Sequence, residues 1–237
     1  MTLTLILLAT LMAVFSGWLI RQSIADTPWV AASGHVVPLR SVPAGVTAPR
    51  VALGVFLAVV TSVFALTISA YMMRMAASAE WRFLPHPQLA WVNTGLLVIG
   101  SLGLQIAWTS VKRERPGAFW RDAFWLALAL GVGCTVAFMA GQYLLWRELM
   151  AAGYYMTDYV GSAFFLMMSF LHGAHLLGGL VVLTRAVVAF RRGAPLSRLR
   201  ESIALCAVYW HYLLFVWIVL YSVLFVGAVP LYGWCRG

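Results

Sequence analysis

Three histidines lie in apolar surroundings and are the side chains of this sequence best suited to chemistry. His172 and His175 stand three residues apart, and His211 follows in the next apolar stretch. Residues three apart on a helix are neighbours on its surface, and at a rise of about 1.5 Å per residue His172 and His211 come to comparable depths. Imidazole ligates zinc and haem iron. The pattern therefore admits a b-type haem or quinone held between two helices, or a metal held by three imidazoles. Against this, Trp210, Tyr212, Phe215 and Trp217 fill the neighbourhood of His211 with bulk. Buried polar groups generally find local hydrogen-bond partners, so the expectation is structural histidines and no catalytic, metal-ligating or cofactor-binding residue. Cys134, Cys206 and Cys235 show no paired spacing; thiols in apolar runs behave as small hydrophobes.

The elements that position these residues are set by composition. Hydrophobic residues make up 63% of the 237 and charged ones only 10%, against roughly a quarter charged in a soluble domain. Six stretches reach the ~20 apolar residues needed to cross a bilayer: Met1–Ile20, Val51–Met73, Ala90–Ser110, Ala123–Trp146, Val160–Thr184 and Ile203–Val229. The fold expected is all-α, a polytopic transmembrane helical bundle of about six spans. No Lys or Arg precedes the first apolar run, which reads as a retained helix rather than a signal peptide. Deep inside the six stretches there is no Lys, Arg, Asp or Glu, which argues against a transporter or pump, whose paths are marked by buried ionisable groups.

Charge gives the orientation. The loops after the first, third and fifth stretches hold twelve Lys and Arg, and the opposite side holds four. The positive-inside rule then places both termini on the outer, periplasmic side. Residues 1–50 form a first unit, a transmembrane helix with a cytoplasmic linker containing Pro28, Pro38 and Pro43, and residues 51–237 form a five-helix core. The net charge of +9 lies in short loops beside the spans, which points to anionic lipid head groups rather than nucleic acid. Arg185, Arg191 and Arg192 are candidates for holding lipid phosphate, since guanidinium offers a forked, permanent donor. Gly95, Gly100, Gly103, Gly173, Gly178 and Gly179 are expected to let helices approach closely. Indoles at the span edges, including Trp91, Trp108, Trp125 and Trp146, are expected in the head-group layer.

Four segments in order then carry a likeness. Trp91-Val92-Asn93-Thr94 is followed by Leu96, Leu97 and Gln105, and Gly141-Gln142 leads to Trp146-Arg147-Glu148-Leu149. Phe164-Phe165 precedes His172-Gly173-Ala174-His175 with Gly178, and Tyr209-Trp210-His211-Tyr212 precedes Trp217. Together they resemble subunit III of cytochrome c oxidases and related quinol oxidases. The resemblance implies a membrane subunit without haem, copper or catalytic residues of its own, in a bacterial inner membrane. It would dock on the large subunit I beside the copper-bearing subunit II, stabilise the haem-copper centre held by its partners, support proton uptake and hold phospholipid between its helices. Asn93, Gln142, His172, His175, Tyr209, Trp210, His211 and Trp217 are then interhelical or lipid contacts. The alternative is a membrane cytochrome b or quinone-binding anchor using His172 and His211. Where many members carry carboxylates this sequence has Ser62 and Leu214, and Phe170 replaces a glycine. The likeness thus favours scaffolding over direct proton handling.

Overall fold

The computed structural model describes residues 48–77, 88–112, 118–155 and 159–226, so the first expected span and its linker up to residue 47 lie outside the described residues, and the last three expected linker residues, 48–50, are helical instead. These fold into five helices: α1 (Ala48–Ala77), α2 (Gln88–Lys112), α3 (Ala118–Ala151), α4 (Val160–Arg191) and α5 (Leu196–Tyr221), the last continued by a π-helical turn, Ser222–Val226. All five are long and apolar enough to cross a membrane.

The first four helices outrun their apolar stretches, and α5 begins seven residues before its own. The 34 residues of α3 span about 51 Å at 1.5 Å per residue, against ~30 Å of hydrocarbon. Arg121 and Asp122 are therefore helical at one end of α3, and Arg147 and Glu148 at the other. Arg185 and Arg191, expected in a loop, are part of α4. Hydropathy falls where charge begins, but backbone hydrogen bonding continues into the head-group layer.

The chain runs up and down as a serpentine, in which α2 packs on α3 and α5, α4 on α5, and α1 chiefly on α4 and α5. On α2 and α3, Gly100 and Gly103 meet Gly131 so closely that a Cβ on Gly103 would lie 3.0 Å from the Ala127 carbonyl and 3.1 Å from the Gly131 amide. Small residues permit such backbone approach where no hydrophobic force joins helices. Gly179 plays the same part on α4, where a Cβ would lie 2.8 Å from the Tyr209 ring and 2.9 Å from that of Trp210. Three of the expected close-approach glycines do not serve that purpose: Gly95, Gly173 and Gly178 have open space where a side chain would stand. Gly95 and Gly178 are exposed, and Gly173 and Gly178 line clefts between helices where the neighbours stand farther off.

The core centres on α5, which buries Leu199, Ile203, Cys206, Trp210, Leu213 and Trp217 among others. By contrast, α1 contributes a single stripe, Val60, Phe64, Tyr71 and Met75, the narrow face of a helix leaning on the bundle. The outer faces are apolar, with Leu126 74% exposed and Phe170 76% exposed. Such a surface suits hydrocarbon and not water.

Candidate functional site

The three histidines face three different environments. His172 is fully buried, and its ring lies among Trp217 of α5 (5.4 Å between centroids), Phe138 of α3 (5.7 Å) and Phe64 of α1 (6.4 Å). Neither ring nitrogen has a hydrogen-bond partner. His175 donates its Nδ1 proton to the Leu171 carbonyl at 2.7 Å and lies on a cleft of about 380 Å³ between α1, α4 and α5, beside Phe56, Cys206 and Tyr209. Three residues turn a helix through about 300°, so the two rings point some 60° apart, and the edge of the core runs between them. His211 donates Nδ1 to the Ala207 carbonyl at 2.6 Å. It opens into a separate crevice of about 770 Å³ with Arg50, Gln105 and Trp108.

This geometry does not bring the imidazoles to a common point. Among the described residues no group of three or more His, Cys, Asp and Glu side chains is placed to hold a metal ion. A planar macrocycle between His172 and α5 would need the volume that Phe138 and Trp217 already fill. The expected local hydrogen bonds exist for His175 and His211 and are missing for His172, whose environment is aromatic on three sides. Replacing His172 with Leu is therefore expected to leave the folded chain as stable as before. His172→Ala should cost about 2–5 kcal/mol, as other large-to-small core changes do. Melting of the purified chain in detergent reads both, and an equal loss for Leu and Ala would overturn this account.

What the polar residues build is a set of indole-to-hydroxyl ties. Trp210 Nε1 donates to Thr135 Oγ1 at 3.0 Å, and that hydroxyl donates to the Gly131 carbonyl at 2.8 Å. Trp217 Nε1 donates to Thr94 Oγ1 at 3.0 Å, which donates to the Ala90 carbonyl at 2.9 Å. Each threonine is thus a relay, returning its proton to its own helix while accepting one from α5. Tyr209 donates to the His175 carbonyl at 3.0 Å, and the hydroxyls of Tyr212 and Thr61 lie 2.8 Å apart. Sequence reasoning picked out Trp210, Trp217 and Tyr209 but passed over Thr135 and Tyr212. The available signal was Thr135 four residues after Gly131, on a glycine-bearing helix face.

Asn93 is 1% exposed and its amide lies against Gly141, in the volume a Cβ there would occupy. Both its amide atoms lack partners, as do those of the adjacent Gln142. Asn93 therefore joins α2 to α3 by fit. Gln142 lines a cleft between α3 and α4 with its amide atoms buried. At the opposite end, the Arg191 guanidinium lies over the Trp125 ring at 5.1 Å and the Lys112 ammonium over Trp108 at 5.3 Å, arrangements favoured by the ring quadrupole. Arg185 and Arg192 are exposed.

With the geometry in place, comparison with known proteins is informative. The chain is 24% identical over 136 residues to a protein named cytochrome c oxidase subunit 3 from Thermostichus vulcanus. The match covers 57% of this chain and 64% of that relative, so it spans slightly less than two thirds of the relative's length. No protein-family model matches the chain.

Proposed function

We propose that this chain is an accessory subunit of a haem-copper terminal oxidase, the counterpart of subunit III, and has no catalytic residue of its own. The observation that carries the reading is the similarity to a protein named cytochrome c oxidase subunit 3. The four motifs that resemble that family fall on α2, α3, α4 and α5 in order, which adds support. In this reading the chain docks on the large subunit I beside the copper-bearing subunit II, and haem and copper reside there. Residues 1–50 supply a sixth span and its linker to the core formed by residues 51–237.

Orientation belongs to the same proposal. Among the described residues, Arg50, Lys112, Arg121, Arg185, Arg191, Arg192, Arg198 and Arg200 all stand at one end of the serpentine, with only Arg74 and Arg147 at the other. The crowded end faces the cytoplasm of a bacterial inner membrane by the positive-inside rule, and both termini face out. Arg185, Arg191 and Arg192 then meet anionic phospholipid. The competing cytochrome b or quinone-anchor reading finds less support, because His172 and His211 open onto different surroundings.

Affinity purification of the chain from its native membrane in mild detergent tests the proposal. Haem absorbance, copper and oxygen-reducing activity are expected to co-purify, and deleting the gene should leave an oxidase that inactivates faster during turnover. An isolated chain with a bis-histidine haem spectrum, lost in a His172→Leu, His211→Leu double variant, would overturn it.

A further inference from the structure

The crevice between α1, α2 and α5 has a volume of about 770 Å³, within the roughly 300–1,000 Å³ of small-ligand sites. It exists because the first part of α1 stands off from the bundle, with no buried residue from Pro49 to Val59. Arg50 marks its mouth, and Leu53, Leu57, Leu205 and Val208 give it apolar walls. Two further polar side chains line it deeper, Gln105 of α2 and His211 of α5. Gln105 is seven residues short of Lys112, and His211 is ten past Glu201, so they stand about 10–15 Å in from the charged helix ends. The head-group layer takes up only ~5–8 Å on each side, which leaves both groups in the hydrocarbon.

Unlike the amides of Asn93 and Gln142, these groups are reachable: His211 is exposed and Gln105 half-buried. The His211 Nδ1 proton goes to the Ala207 carbonyl, which only accepts, so in the neutral ring Nε2 carries a lone pair and no hydrogen. Nε2 diverges from Nδ1 across the ring and is turned away from the α5 backbone. Among the described residues neither Nε2 nor the Gln105 carboxamide has a hydrogen-bond partner.

We propose that this crevice binds an isoprenoid quinol, one phenolic hydroxyl donating to His211 Nε2 and the other meeting the Gln105 carboxamide, with the ring beside Trp108. The occupant follows from the donor count at that depth. His211 Nε2 needs a donor, whereas a carboxamide both donates and accepts. Phospholipid esters only accept, and the phosphate belongs at the level of Arg50, above both groups. An alcohol with one hydroxyl leaves one of the two bare. A quinol has two, on opposite sides of an aromatic ring, and its apolar tail follows Leu57 and Val208 into the lipid. The oxidised quinone has carbonyls only and loses the bond to His211, so the site selects the reduced form. It is distinct from an anchor built on two histidines, since His172 is enclosed in the aromatic core, and it stands whether or not the chain belongs to an oxidase.

The test photolabels the full chain in its native membranes, without oxygen, using a short-tailed ubiquinol analogue that carries a diazirine and is kept reduced by dithiothreitol. Adducts on this chain are expected at the crevice residues of α1, α2 or α5. Decylubiquinol should protect against them at least tenfold better than decylubiquinone or phosphatidylglycerol. A Cβ on Gly54, which lines the crevice, meets nothing within 4 Å, so Gly54→Leu should accumulate normally, fill the space and cut labelling at least tenfold. Gly133 has the same freedom outside the crevice, and Gly133→Leu should label as before. His211→Leu should remove the preference for the reduced form, and it carries the test if Gly54→Leu lowers accumulation. Adducts confined to other helices, equal protection by the quinone or by phosphatidylglycerol, or full labelling of Gly54→Leu would overturn the proposal. Failure of the oxidase reading shows in co-purification and leaves these outcomes unchanged.

Discussion

Gly103→Leu is expected to abolish accumulation of the folded chain, whereas Gly133→Ala should leave it unchanged or slightly more stable. The contrast comes from what each glycine faces. A Cβ on Gly103 would meet the carbonyl of Ala127 and the amide of Gly131, both backbone atoms of α3. Backbone cannot swing aside as a side chain can, so a larger residue has to push α2 and α3 apart along the interface. Overpacking by even a few methylenes costs about 1–3 kcal/mol. A whole isobutyl group at a backbone contact exceeds that and consumes much of the ~5–15 kcal/mol that holds a domain folded. Gly133 has open space around it, so Ala there meets nothing and gains up to ~1 kcal/mol of helix propensity. Immunoblots of membranes together with melting of the purified chain check the pair. Equal tolerance at both positions would show that α2 and α3 do not meet through Gly103.

The same two glycines mark the limit of what sequence reading reaches. Both lie in apolar spans and both are small, but only register decides which one meets a neighbouring backbone, and register arises from the packing of several helices at once. Spans themselves are legible because each needs ~20 apolar residues and few soluble folds contain such runs. Their ends are less so, and Arg121 and Arg185 were placed outside helices that in fact contain them. At the candidate site, Trp210, Trp217 and Tyr209 stood out as bulky groups with one polar atom to satisfy. Of their partners, Thr94 is marked by the Trp91–Thr94 segment as a polar side chain within a span, whereas Thr135 becomes visible only once α3 is laid against α5. The shared-face reading of His172 and His175 holds only in part: both rings meet Phe64 of α1, at 6.4 and 5.6 Å, but only His172 is enclosed. Neighbouring positions on a helix still point about 60° apart, and here that angle carries one ring into an aromatic core and leaves the other on a cleft.

Trp217→Ala is expected to destabilise the protein by about 3–5 kcal/mol, in the range of other buried tryptophan deletions, and Trp217→Phe by much less. Trp217 is 1% exposed and meets Phe138 edge-on at 4.9 Å and His172 at 5.4 Å, so its volume joins α3, α4 and α5. Its indole also donates to Thr94 of α2, the one tie among these that reaches a fourth helix. The two roles separate experimentally. Phe keeps most of the ring and loses the donor, and because Thr94 still returns its proton to the Ala90 carbonyl, its hydroxyl is not stranded. The loss for Phe should then be about 0.5–2 kcal/mol, the scale of hydrogen bonds between membrane helices. A double-mutant cycle with Thr94→Val isolates that share, because the hydrogen bond is absent from both single variants and from the double. If Trp217→Phe proved as damaging as Trp217→Ala, the indole hydrogen bond and not the ring volume would dominate. In that case the aromatic cluster around His172 would be a consequence of the α2–α5 tie, with the helices held by Thr94 and the rings filling what remained.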